Sequence, residues 1–175
     1  LGVVYLPIDI NKAIYYLEKL AIQGEPKAIN YLGGIYYDAI YVKRDIEKAI
    51  MYFERASNLN DSNAQYNLGG IYFEGKYIKK DINKAIHYLT LAANHHHPEA
   101  LYNLGFIYYE GYDIKPDINK AIYYMQRAAD QNFPQAINFL GLIYHEGKYI
   151  SKDINKAIAY YTYAANLNDI EAQNN

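Results

Sequence analysis

Within residues 97–132, the apolar side chains Ala100, Leu104, Ile107 and Tyr108 are spaced to fall along one stripe of an α-helix. A second run, Ile118, Ala121, Ile122, Met125, Ala128 and Ala129, draws another such stripe. The pattern predicts helix A over about 97–110 and, after a short loop, helix B starting behind Asp117. Pro98, like Pro26 and Pro134, sits where a first helical turn tolerates a missing N–H. Gly111, like Gly75 and Gly147, offers a left-handed stop to helix A. Asp117 supplies an N-cap carboxylate for helix B, as Asp9, Asp45, Asp81 and Asp153 do in their segments. Each such cap contributes about 1 kcal/mol. Asn58, Asn94, Asp130 and Asn166 mark the turns that end helix B.

The string Asp-Ile-Asn-Lys-Ala-Ile starts at 9, 81, 117 and 153, and Asp-Ile-Glu-Lys-Ala-Ile starts at 45, a period of 36 without insertion or deletion. A period of this length means stacked units that bury their apolar faces on one another. The fold expected is all-α: an α/α solenoid of about five helix-turn-helix repeats. The units run over 25–60, 61–96, 97–132 and 133–168, with a partial unit at 1–24 and the start of another at 169–175. The chain reads as a segment of a longer array. Ala28, Ala64, Ala100, Ala136 and Ala172 form one small-residue column, and Gly33, Gly69, Gly105 and Gly141 another. A glycine inside a helix costs about 1 kcal/mol relative to alanine, so a recurring one implies close approach. The expected neighbours are Ala49, Ala85, Ala121 and Ala157 of helix B.

Ala100, Leu104, Gly105, Tyr108 and Gly111, followed by Asp117, Lys120, Ala121, Tyr124, Ala128 and Ala129, carry a resemblance to the Sel-one-like repeat family, a relative of the tetratricopeptide repeat. The likeness covers essentially the whole chain. It departs at Ala39, where a stop glycine is usual, and at Leu20, where alanine is usual. The resemblance implies a right-handed superhelix whose A helices line a concave face, and roles in assembling complexes and signalling. Some bacterial relatives were described as hydrolases, but that group is disulfide-rich, and this chain has no cysteine.

Composition narrows the chemistry. A net charge of −2 gives no global reason for a nucleic-acid partner. No apolar run is long enough to span a bilayer, and no signal segment opens the sequence. The absence of cysteine excludes disulfides, zinc-thiolate sites and thiol nucleophiles, and suits a cytoplasmic location. Tyrosine is abundant at 23 residues, but A/T-rich codons explain that count, so position must decide which tyrosines matter. His95, His96 and His97 form the most metal-like cluster, yet adjacent residues rarely converge on one ion, so the run reads as an exposed turn. No serine lies in a nucleophile elbow, and no convergent titratable set suggests an enzyme. No cofactor is expected. Lys43, Arg44, Lys76, Lys79, Lys80, Lys115, Lys148 and Lys152 should line a solvated edge, partly neutralised by the cap aspartates.

Residues of helix A outside the packing stripe then face the groove. They are Lys27, Asn30, Gly34, Tyr37 and Asp38 in the first full unit, and Asn63, Tyr66, Gly70, Phe73 and Glu74 in the second. The third gives Glu99, Tyr102, Phe106, Tyr109 and Glu110; the fourth gives Gln135, Asn138, Leu142, His145 and Glu146. Tyr66, Phe73, Tyr102, Phe106 and Tyr109 would be anchors for a partner, or else packing between A helices. Asp38, Glu74, Glu110 and Glu146 oppose the helix dipole, so each needs a cation, and Lys48, Lys84, Lys120 and Lys156 are the expected partners. An aromatic, acidic groove disfavours phosphates and favours a basic or mixed-charge peptide with apolar anchors. The expected function is a non-catalytic adaptor or scaffold binding a peptide or helix of a partner protein. The alternative is a spacer or regulatory arm of a larger signalling protein with an enzymatic domain elsewhere. Both end units expose helical surface, so self-association is also expected.

Overall fold

A computed structural model describes the backbone of residues 9–173 and side-chain environments as far as residue 167. Residues 1–8 of the opening unit, and the side chain at the expected small position Ala172, lie outside the described set. The described residues form nine helices: α1 (Ile10–Ile22), α2 (Pro26–Asp38), α3 (Ile46–Asn58), α4 (Ser62–Glu74), α5 (Ile82–Asn94), α6 (Pro98–Glu110), α7 (Ile118–Ala129), α8 (Pro134–Glu146) and α9 (Ile154–Gln173). The even-numbered helices are A helices and the odd-numbered ones B helices. Each A helix packs most heavily on the B helix that follows it and less on the one before, and α4 also meets α6 directly. That is the α/α solenoid the spacing predicts.

Local chemistry sets the boundaries. The carboxylates of Asp9, Asp45, Asp81, Asp117 and Asp153 accept from the backbone N–H three residues on, at 2.9–3.1 Å. The backbone N–H of Asp45, Asp81, Asp117 and Asp153 donates to the carbonyls of Tyr36, Tyr72, Tyr108 and Tyr144, which ties each loop back onto helix A. Gly75, Gly111 and Gly147 stop their A helices at φ of 63°, 73° and 63°. Ala39 takes the same left-handed turn at φ 56°. There the guanidinium of Arg44 donates to the Tyr37 and Asp38 carbonyls (2.9 and 3.2 Å), satisfying acceptors at the helix end. The B helices α3 and α5 close through Asn60 and His96, both at positive φ, with Asp61 and His97 N–H bonded back to the Ala56 and Ala92 carbonyls. Asn166 breaks this pattern, because α9 continues through it to Gln173.

The glycine column does mark close approach, but mainly to a different residue from the one expected. A Cβ on Gly33, Gly69, Gly105 or Gly141 would lie under 3 Å from Phe53, Leu89, Met125 or Tyr161 respectively, with the Ala121 carbonyl 3.1 Å from that of Gly105. The alanines expected there, Ala49, Ala85, Ala121 and Ala157, are themselves buried nearby.

Tyrosine has a structural role that its count concealed. Tyr36 stacks on Tyr52, Tyr72 on Tyr88, Tyr108 on Tyr124 and Tyr144 on Tyr160, with centroids 5.8–5.9 Å apart and planes within 12°. Over the A-helix ring of each pair (Tyr36, Tyr72, Tyr108 and Tyr144) lies the ammonium of Lys48, Lys84, Lys120 or Lys156, at 4.1–4.8 Å. The expected pairing of this lysine column with Asp38, Glu74, Glu110 and Glu146 is therefore not what forms. Lys48 and Lys156 also donate to the Tyr36 and Tyr144 hydroxyls at 2.7 and 2.8 Å. The aromatic face lies beside each lysine, and cation–π attraction takes it.

Candidate site on the A-helix face

The predicted groove residues divide into two unlike regions. In the N-terminal half, Gly34 and Gly70 lie inside helices α2 and α4, and a Cβ on either would touch nothing within 4 Å. They floor a hollow of about 390 Å³ shared by α2, α4 and α6, with Phe53 of α3 at its base. Tyr37, Tyr66 and Phe73 wall it, and Asp38 and Glu74 stand at its rim. Asn67 and Asn103 also line it; neither was among the predicted groove positions. Asn67 donates to the Asn30 side chain at 3.1 Å.

The electrostatics of this hollow are negative. Neither Asp38 nor Glu74 has a cation within salt-bridge distance among the described residues. Burial, then the charge of Glu74, pushes the Tyr37 hydroxyl above its ordinary value. Tyr66 is pushed up too, first by burial and then by Glu99. Both phenols therefore stay neutral donors. The nearest bases are engaged elsewhere: Arg44 on the helix-end carbonyls and the Tyr77 ring, and Lys80 on Asp113 at 3.0 Å.

In the C-terminal half the same helix face is filled. Phe106 occupies the position equivalent to Gly70, and Phe139 that of Asn103. Phe139 packs against Tyr102, Phe106 and Tyr109 with centroids at 6.1, 5.7 and 5.2 Å, and Phe133 closes on Tyr102 at 5.8 Å. Of the two roles left open for Tyr109, anchor or packing, it takes packing: it is 3% exposed, and its hydroxyl donates to Glu146 at 2.7 Å. Burial, then that hydrogen bond, drives its hydroxyl strongly upward in pKa. Its column is a packing column, for Tyr37, Phe73 and Tyr109 each meet a loop tyrosine of the next unit edge-on: Tyr77, Tyr112 and Tyr149, at 5.4–5.8 Å.

The other predicted positions sit apart from the hollow. Asn63, Asn138, His145, Glu110, Lys27 and Gln135 are exposed, and Leu142 is half-buried. Glu99 lies 3.1 Å from His97 Nδ1, out of line for a hydrogen bond, while His97 Nε2 meets Asn63 Oδ1 at 3.2 Å. His95 and His96 are exposed, but His97 is half-buried and stacks on Tyr66 at 4.7 Å, so the histidine run is only partly the open turn expected. Among the described residues, no three His, Asp or Glu side chains gather as a metal site would require.

Half of the expected basic edge lies over rings. Arg44 and Lys76 lie over Tyr77, Lys80 over Phe73 and Tyr112, and Lys148 over Tyr109 and Tyr149. No helix among the described residues is long and apolar enough to cross a membrane.

The Sel1 repeat family matches residues 2–25, 26–61, 62–97, 98–133 and 134–169. The chain belongs to the Sel1 repeat family. Its matched frame is one residue later than the one read from the Asp-Ile-Asn-Lys period. Among solved structures, a Sel1 repeat protein from Oxalobacter formigenes is 32% identical, covering 94% of this chain and 69% of its own, with a TM-score of 0.77. A protective antigen of uropathogenic Escherichia coli that displays an SLR fold is 30% identical, with a TM-score of 0.82 over 87% of this chain. This Sel1 repeat segment spans 33% of that antigen's length. Helicobacter pylori cysteine-rich protein B is 27% identical with a TM-score of 0.60, covering 79% of this chain and all of its own. No curated protein matches the sequence. Sel1 repeats are generally protein-interaction modules.

Proposed function

We propose that this Sel1 repeat array is a non-catalytic adaptor that holds a polypeptide segment of a partner protein against its A-helix face. The observation that carries this reading is the hollow shared by α2, α4 and α6, rimmed by two carboxylates that pair with no cation among the described residues. Both carboxylates are exposed in the last turn of their helices, where they oppose the dipole, and a cationic guest relieves that term. Half-buried Tyr66 and the filled wall beyond it supply apolar contact at small cost in side-chain entropy. A basic or mixed-charge segment fits this field, and a phosphate backbone does not.

Selection from a displayed library of random peptides tests the reading. One sequence class should be enriched on the wild type, and titration of a selected peptide should show binding weakened by Tyr66→Ala with Asn103→Ala while the helical circular-dichroism signal is kept. Failure to enrich any class, or binding indifferent to that double substitution, would refute the groove assignment.

A further inference from the structure

Gly34 and Gly70 have no packing reason to be glycine. Each lies inside a helix, where glycine costs about 1 kcal/mol relative to alanine, and a Cβ on either meets nothing within 4 Å. Gly33 and Gly69, their immediate neighbours, face the opposite situation and are needed by Phe53 and Leu89. The equivalent positions in the following units are Phe106 and Leu142, so the fold accommodates large side chains there. What the two glycines do is keep the hollow open.

The chemistry around that space is specific. The aromatic walls of Tyr37, Tyr66 and Phe73 suit the methylene stem of a long side chain or the face of a guanidinium. Asp38 and Glu74 at the rim suit its charged head, and neither is neutralised by a described cation. The amides that also line it, Asn67 and Asn103, carry the donor and acceptor groups a peptide backbone requires.

We infer that this hollow is a specificity subsite for one arginine or lysine side chain of the bound partner segment, with Gly34 and Gly70 as the residues that make room for it. The inference rests on the groove reading above and deepens it. The filled C-terminal half, from Tyr102 to Phe139, then acts as a rigid wall beside the subsite and offers no second one.

Immobilised protein and pools of acetylated heptapeptides, with Arg, Lys, Gln, Leu or Glu fixed at the centre and mixed residues elsewhere, provide the test. Retained peptide is quantified by mass spectrometry. The Arg and Lys pools should be retained at least about tenfold over the Gln, Leu and Glu pools, as a charge-assisted contact implies. Gly70→Phe, which copies the residue at Phe106, should abolish that preference with the fold intact by circular dichroism. Asp38→Asn with Glu74→Gln should abolish it too, whereas Glu110→Gln, in the same column outside the hollow, should not. Retention without a preference for basic centres, or a preference that survives Gly70→Phe, would overturn the subsite and leave the groove reading standing. Retention of no pool at all would overturn both.

Discussion

The two halves of the A-helix face are built from the same columns and reach opposite outcomes. In α2 and α4 the column that faces the next unit is glycine, and the residue that lines the hollow with it from across the junction is asparagine: Asn67 for Gly34, Asn103 for Gly70. In α6 that column is Phe106, and the residue it meets is Phe139, at 5.7 Å. An open gap separates small from polar on one side, and ring meets ring on the other. The backbone repeat is unchanged between them, so the contrast belongs to side chains alone. A solenoid can therefore assign stability to one stretch of its inner wall and accessibility to another.

Substitution at the facing residue should separate the halves most sharply. Phe139→Ala removes a ring shared by Tyr102, Phe106 and Tyr109, and its urea midpoint should reflect a loss of about 3 kcal/mol. Asn103→Ala, the same column in the open half, should cost less than about 1 kcal/mol. Equal losses would mean the open half is packed as tightly as the filled one.

Adjacent glycines in α4 should then give effects of opposite sign. Gly69→Leu drives a side chain into Leu89, whose Cγ would lie 2.6 Å from the new Cβ, and should destabilise by about 1–3 kcal/mol. Gly70→Ala meets open space and should stabilise by about 1 kcal/mol. Destabilisation by Gly70→Ala would show that the hollow is narrower than described.

The smallest effect concerns pH. Burial lowers the pKa of His97 below its ordinary 6.5, outweighing the opposing pull of Glu99 and Asp61. The folded protein thus takes up this proton less readily than the unfolded chain. Stability is at its fullest above the unfolded value and declines as pH falls below about 6.5. His97→Gln should flatten that decline, measured as the thermal midpoint between pH 7.5 and 5. An unchanged slope would place the acid sensitivity in other groups.

What could be read from the residues alone follows the range of the forces involved. The Asp caps, the stop glycines and the helical stripes act within a few residues, and the structure reproduces them at Asp117, Gly111 and the Ala100–Tyr108 face. That Lys120 lies over the Tyr108 ring and 3.8 Å from Asp117, and not against Glu110, was not legible, because it depends on which face of helix B meets helix A. The role of Tyr109 was hidden for a similar reason: what buries it, Phe139 and Tyr149, lies in the next unit. Asn67 and Asn103 were passed over, although a signal existed. Positions 34, 70 and 106 read against positions 67, 103 and 139 change together, from glycine with asparagine to phenylalanine with phenylalanine.

The lysine-capped tyrosine pair begins and ends within a single brick of the array, joining its two helices without borrowing from either neighbour. Removing or duplicating one 36-residue block would consequently delete or add one whole fastening and leave the others as they were. Length then becomes something recombination can alter cheaply, so arrays of different reach can descend from this one without inventing a new core.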